Sequence, residues 1–133
     1  MSPSFLLSKS ERLNKKKVID RFFSGQAAAF TIYPFRVLFM HNPAQEAPAS
    51  MLVSVSKRHF KHAVARNRVK RQVREAFRKH KDLLWPALEG GTDRVAVAFI
   101  YLSNEFYSTA QIDEKVQRAL QRISEQLSKE KDD

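Results

Sequence analysis

The chain has 133 residues, of which 43% are hydrophobic and 11% aromatic, and this is enough for one domain with its own apolar core. It contains no cysteine, which excludes disulfides, thiolate metal sites and cysteine nucleophiles, and no apolar run approaches the roughly 20 residues that span a bilayer. The formal net charge of +10 is typical of a protein that binds a polyanion. We expect a single domain over residues 1–133, ordered at about 8–127 with frayed termini, and a cytoplasmic location.

A helix is predicted near the start of the chain, over about residues 11–24. A capping-box motif at residues 8–11 precedes it, and Gly25 follows it, where a helix end favours the left-handed backbone that glycine adopts easily. Ile19 and Phe23 belong to its apolar stripe because they lie about one turn apart.

Two strands are predicted within residues 27–40, which are rich in β-branched and aromatic types. Pro34 divides them because proline cannot donate to a central ladder. In the second strand, alternation places Phe39 on one face and Arg36 on the other. Residues 51–57 alternate in the same way and form a third strand.

The second half of the chain predicts a helix, a strand and a helix. Residues 63–81 carry apolar side chains at helical spacing, and residues 95–102 are apolar on both faces, as in a buried central strand. Ser108 is a candidate cap for the last helix, whose apolar stripe runs to Leu127. The order αβββαβα predicts an α+β fold, a two-layer sandwich of helices over a mixed four-stranded sheet.

Cationic residues are concentrated in residues 57–81. This window holds eleven of the 24 lysines and arginines but only one of the 14 acids. One face of the 63–81 helix is apolar, and the wide neighbouring face is almost purely cationic. Like charges one turn apart repel each other, and a solvated helix face usually mixes both signs. The pattern therefore favours a surface that binds phosphates.

The side chains offer no convincing active site. Three glycines do not form a glycine-rich phosphate loop, and no nucleophile elbow occurs. His59 and His62 have the spacing of half a metal site, but they lie among cations, so we interpret them as loop residues near RNA. Glu105, Asp113 and Glu114 are interpreted as surface and helix-start residues. We predict no catalytic residue and no metal ligand in the protein itself.

The basic window also contains a recognisable motif. Residues 54–58 are SVSKR, and residues 63–78 are AVARNRVKRQVREAFR. The triplet Arg66-Asn67-Arg68 with its basic continuation resembles the signature of the bacterial ribonuclease P protein subunit, and the chain is similar to that family over about residues 8–127. The resemblance implies that this helix lies in a left-handed βαβ crossover, against the usual right-handed rule.

The resemblance also implies a protein that assists a catalytic RNA. That RNA would cut the 5′ leader from precursor tRNA with Mg²⁺ held mainly by the RNA, and the protein would favour binding of metal and substrate. The partners would be the ribonuclease P RNA and the 5′ leader of precursor tRNA, with no membrane and no DNA. The surface toward the catalytic RNA would consist of Arg66, Asn67, Arg68, Lys70, Arg71, Arg74 and Arg78. A cleft between the first helix and the sheet would bind the leader with Ile19, Phe23, Phe39, Ser54 and Lys57.

Two other hypotheses stay open on the residues alone. A ribosome-associated or other structured-RNA-binding protein, with no catalytic partner, would show the same basic window. A basic helix at a membrane surface is the weaker hypothesis, because the apolar face of residues 63–81 lacks the bulky Trp and Leu side chains of interfacial helices.

Overall fold

The helices and strands follow one another in the predicted order αβββαβα. The computed structural model describes residues 16–25, 27–43, 45–88 and 93–132, so the predicted capping box at residues 8–11 lies outside the described residues. The elements are α1 (Lys16–Phe22), β1 (Ala28–Ile32), β2 (Phe35–His41), β3 (Ala49–Ser54), α2 (Ala63–His80), a 3₁₀ helix (Lys81–Leu88), β4 (Val95–Tyr101) and α3 (Thr109–Asp132).

The four strands form one mixed sheet in the order β1-β2-β4-β3. β2 is antiparallel to both β1 and β4, whereas β3 is parallel to β4. β4 is a central strand, as its apolar residues on both faces predict, and every residue of 95–99 is buried. The parallel pair is connected through α2, which gives the expected βαβ crossover, and the α+β class with a mixed four-stranded sheet is confirmed. The left hand of the crossover stays an expectation from the resemblance.

Three local signals in the sequence are confirmed by backbone dihedral angles or hydrogen bonds. Gly25 has a positive φ of 89°, which fits a residue just beyond a helix end. Pro34 separates β1 from β2 and follows a cis peptide bond. Ser108 and Gln111 form a capping box at the start of α3: the Ser108 N–H donates to Gln111 Oε1 at 2.9 Å, and the Gln111 N–H donates to Ser108 Oγ at 3.1 Å.

Helices cover the two faces of the sheet unequally. α2, the 3₁₀ helix and α3 contribute to the main apolar core on one face, together with the Phe39 side of β2. α1 adds a partial layer on the other face, where Phe22 is 1% exposed and packs in a small cluster with Leu38, Met40, Ala96 and Ala98. This second face therefore has room for an uncovered surface.

Arg21 fastens α1 to the end of β2. Its guanidinium donates to Asn42 Oδ1 at 3.0 Å and to the carbonyl of His41 at 3.3 Å. Asn42 is buried and donates through Nδ2 to Gln45 Oε1 at 3.0 Å, so the acceptor is itself held in place. Together with Phe22, this network sets where α1 lies on the sheet.

Candidate nucleic-acid interface

A line of side chains crosses the sheet on the face that α1 only partly covers. The strand register pairs Thr31 with Arg36, Arg36 with Ile100, and Ile100 with Ser54. Paired residues point to the same side of a sheet, so these four form one row across all four strands. Thr31, Arg36 and Ser54 are exposed and Ile100 is half-buried. We call these four residues the open row.

Four of the five predicted leader-binding residues lie on or near accessible surface. Ser54 is a member of the open row. Ile19 is half-buried on α1, and Phe23, directly after the helix, is 60% exposed. Lys57 is exposed in the turn that follows β3.

Phe39 is the exception, and its prediction as a leader contact is corrected by the structure. It is 3% exposed, and its ring meets the ring of Phe30 edge-on at 6.2 Å between centroids, in the core under α2 and α3. The alternation predicted for β2 is right, but the face toward α1 is that of Arg36 and Leu38. A step of one residue along a strand changes the face, so Phe39 is not available to stack on a base.

Arg36 is the candidate residue that the sequence-based choice missed. A signal for it was present, because Arg36 is the one basic residue in residues 26–56 and interrupts an apolar strand. A cation at such a position has to reach solvent, which marks the face of the strand that the core does not use.

α2 carries the basic motif on its first turns. Its buried residues, Val69, Val73, Ala76 and Phe77, have the helical spacing that the sequence predicts for this segment. Asn67, Arg68 and Arg71 are exposed, while Lys70 and Arg74 are half-buried. The exposed residues therefore offer amide and guanidinium donors directly to a partner.

Arg66 and Arg78, two of the predicted arginines, donate hydrogen bonds within the protein. Arg66 donates through Nη1 to the carbonyls of Phe60 at 3.0 Å and Lys61 at 2.9 Å, which ties the connection before α2 to the helix. Arg78 donates through Nε to Glu75 Oε2 at 3.0 Å and through Nη2 to the other carboxylate oxygen. This hydrogen bonding lowers the pKa of Glu75 and raises the pKa of Arg78. The charge of Arg78 is thus partly offset by Glu75, whereas Arg66 meets backbone carbonyls.

Among the histidines and acids set aside in the sequence, His59 and Asp113 have side-chain partners from other parts of the chain. His59 Nδ1 lies 2.6 Å from Asn104 Oδ1, and His80 Nε2 lies 2.9 Å from Asp113 Oδ2. In residues 16–132, wherever the structure describes the chain, no group of three or more His, Asp or Glu side chains could hold a metal ion. No helix in that part of the chain is long and apolar enough to cross a membrane.

Known sequences match this chain along nearly its whole length. The family model described as Ribonuclease P matches residues 7–124. The ribonuclease P protein component of Porphyromonas gingivalis strain W83 is 42% identical over 123 residues, which are 92% of this chain and 89% of that protein. The ribonuclease P protein component of Chlorobium phaeobacteroides is 31% identical over 127 residues, 88% of this chain and 87% of that protein.

Solved structures agree with the fold. The RNase P protein from Thermotoga maritima superposes with a TM-score of 0.67 at 26% identity, covering 84% of this chain and 96% of that chain. The Staphylococcus aureus RNase P protein gives a TM-score of 0.69 at 23% identity and covers 86% of this chain and 96% of its own, a likeness that shows the fold alone.

The fold and the arginine-rich helix define a protein subunit of an RNA-processing enzyme. The chain belongs to the ribonuclease P family, whose members are the protein component of this tRNA-processing endoribonuclease. The resemblance carried by Arg66-Asn67-Arg68 is confirmed, and the ribosome-associated alternative is set aside. A protein component implies an RNA component as its partner, and ribonuclease P is in general a metal-dependent ribonucleoprotein.

Proposed function

We propose that the protein binds two RNAs on two surfaces, the catalytic RNA through α2 and the 5′ leader of precursor tRNA through the face that carries α1. The observation that carries the proposal is the open row, in which an exposed Arg36 lies between the exposed Thr31 and the half-buried Ile100. α2 packs on the opposite face of the sheet, so the two RNAs would not compete for one surface.

The open row suits a single-stranded polyanion. It spans three inter-strand gaps of about 4.8 Å each, or roughly 14 Å in all, so a strand of RNA that crosses the sheet would meet all four residues. Arg36 and Lys57 would contact phosphates, and Ser54 would contribute a hydroxyl. Phe23 would stack on a base, a contact worth roughly 1–3 kcal/mol. Ile19, half-buried on α1, would give apolar contact only.

On α2, the exposed Asn67, Arg68 and Arg71 would make the principal contacts with the catalytic RNA, supported by Lys70 and Arg74. In this proposal Arg66 adds charge and also holds the connection before α2 in place, and Arg78 adds charge while it is paired with Glu75. Neutralised phosphates at this interface would reduce the repulsion that Mg²⁺ otherwise has to screen, so less Mg²⁺ would be needed for folding and substrate binding. The Mg²⁺ itself would be held mainly by the RNA, and the assembly would act in the cytoplasm without DNA or membrane partners.

Binding of precursor tRNA with and without its 5′ leader tests the leader surface. With the enzyme saturated in protein, Arg36→Gln and Phe23→Ala should each weaken binding of the leader-bearing substrate about five-fold or more, and leave leaderless tRNA unaffected. Lys129→Gln, which removes an exposed cation from α3, is the control and should change neither affinity. Equal losses for both substrates, or no loss for either, would contradict the assignment of the open row to the leader.

A further inference from the structure

The connection between β4 and α3, residues 102–108, packs against the first turns of α2. Phe106 is 42% exposed, and the guanidinium carbon of Arg68 lies 4.2 Å from the centroid of its ring. The ring of Phe60 stacks on the same ring, with 4.7 Å between centroids and 17° between planes. The Phe106 ring is therefore in contact with a cation and with a second aromatic ring of the protein itself.

The residues before and after Phe106, Glu105 and Tyr107, each accept a hydrogen bond from another element of the fold. The hydroxyl of the buried Tyr101 donates to the carbonyl of Glu105 at 2.5 Å, and burial raises the pKa of Tyr101 to about 12, which keeps it a donor. On the other side, Gln72 of α2 donates through Nε2 to the carbonyl of Tyr107 at 3.2 Å. The position of the Phe106 ring is thus set by the sheet and by α2 itself.

We propose that Phe106 is a positioning residue for Arg68 at the interface with structured RNA, an inference that rests on the proposed role of α2. A cation–π contact uses the field of the ring and none of the N–H donors of the guanidinium. Arg68 therefore keeps its donors for phosphate, whereas Arg66 directs its Nη1 group to backbone carbonyls. Holding a long side chain in place before RNA arrives lowers the entropy that is lost on binding.

The substitution that isolates this contact is Phe106→Leu. Leucine keeps an apolar side chain against Phe60 but has no π face for Arg68. An exposed cation–π contact corresponds to about a two- to five-fold change in affinity. Phe106→Tyr keeps the ring and should bind RNA like the unmodified protein.

The experiment is a double-mutant cycle on the dissociation constant for the ribonuclease P RNA encoded by the same genome. Phe106→Leu should weaken binding about two- to five-fold when Arg68 is present, and should have no further effect in the Arg68→Ala background. Trp85→Leu, which removes an aromatic ring of similar exposure (38%) from the 3₁₀ helix, is the control and should leave binding unchanged.

The outcomes distinguish a failure of the positioning role of Phe106 from a failure of the proposed RNA interface on α2. If Phe106→Leu weakens binding by the same factor with and without Arg68, the ring only supports packing and the positioning role is overturned. If Arg68→Ala itself leaves RNA affinity unchanged, the assignment of α2 as the interface fails, and the positioning role with it. Thermal melting of each variant shows that it is folded at the assay temperature, and Phe106→Met replaces Phe106→Leu if the leucine variant is not.

Discussion

Phe39 and Arg36 lie three residues apart on β2 and serve opposite faces of the sheet. Phe39 completes the core under α2 and α3, while Arg36 reaches solvent in the open row. Both positions follow from the two-residue period of a strand, which fixes which residues share a face. The same period does not say which of the two faces a helix will cover, so it could not test the place in the leader cleft that the resemblance implied for Phe39.

Replacing Phe39 with alanine tests its place in the core. Phe39→Ala should lower the free energy of unfolding by about 3–5 kcal/mol, because it leaves a cavity beside Phe30. Phe23→Ala, at a position that is 60% exposed, should change it by no more than about 0.5 kcal/mol. Urea denaturation of both variants measures the difference, and similar losses for the two would place Phe39 outside the core.

Tyr101 gives a test that depends on pH. Burial raises its pKa to about 12, while an unfolded tyrosine titrates near about 10. Between these values the unfolded chain loses the proton first, so the stability of the unmodified protein should fall as the pH rises from about 10 to about 12. Tyr101→Phe lacks this loss, although it should be less stable by about 0.5–1.5 kcal/mol at neutral pH without the hydrogen bond to Glu105. Unfolding at about pH 8 and about pH 11 checks this, and parallel profiles for the two proteins would refute it.

At the scale of the element, α2 combines a structural face with a binding face. Its boundaries and buried stripe were predictable because an apolar period of 3.6 residues is a local property of the sequence. The contacts of its arginines were not, because their partners are distant in the sequence or depend on rotamers. Arg68 makes a cation–π contact with Phe106, in the connection between β4 and α3. Arg66 donates a hydrogen bond to the carbonyl of Phe60, in the connection before α2. The sequence thus indicates that α2 is basic, but not which of its cations face outward.

The salt dependence of RNA binding should follow the exposed cations of α2. Removing two charges with Arg68→Gln and Arg71→Gln should flatten the slope of log affinity against log salt by about 1.4–1.8, since each neutralised phosphate contributes roughly 0.7–0.9. Arg118→Gln with Lys129→Gln removes the same charge from exposed positions on α3 and should leave the slope unchanged. Equal flattening in both pairs would mean that only net charge matters, and not the face of α2.

At the scale of the whole molecule, the sheet separates the two surfaces that we propose bind RNA. α2 and α3 lie on one face and α1 on the other, so an RNA bound at α2 and an RNA strand on the open row would be held at a fixed separation by the same four strands. The protein would then act as a rigid spacer between enzyme RNA and substrate. Such a role needs positioning rather than chemistry from the side chains.

The location of catalysis can be tested on the purified components. The isolated protein should not cleave precursor tRNA at any Mg²⁺ concentration, because a protein nuclease needs clustered side chains to hold metal and activate water. Added to its RNA, it should lower the Mg²⁺ concentration needed for cleavage and tighten binding of the substrate. Cleavage assays with RNA alone, protein alone and both together measure this. Activity of a rigorously RNA-free preparation would place catalytic groups in the protein.

The attachment of α1 has a consequence for the surface that we propose binds the leader. α1 is held by Phe22 and by the Arg21 network, and its small apolar cluster is separate from the main core. Units that bury little apolar surface open at a lower free energy than the global transition. Backbone amides of α1 should therefore exchange with deuterium well before those of β4. Local breathing of this kind would let the cleft adjust its width to leaders of different sequence while the body that docks on the enzyme RNA stays fixed.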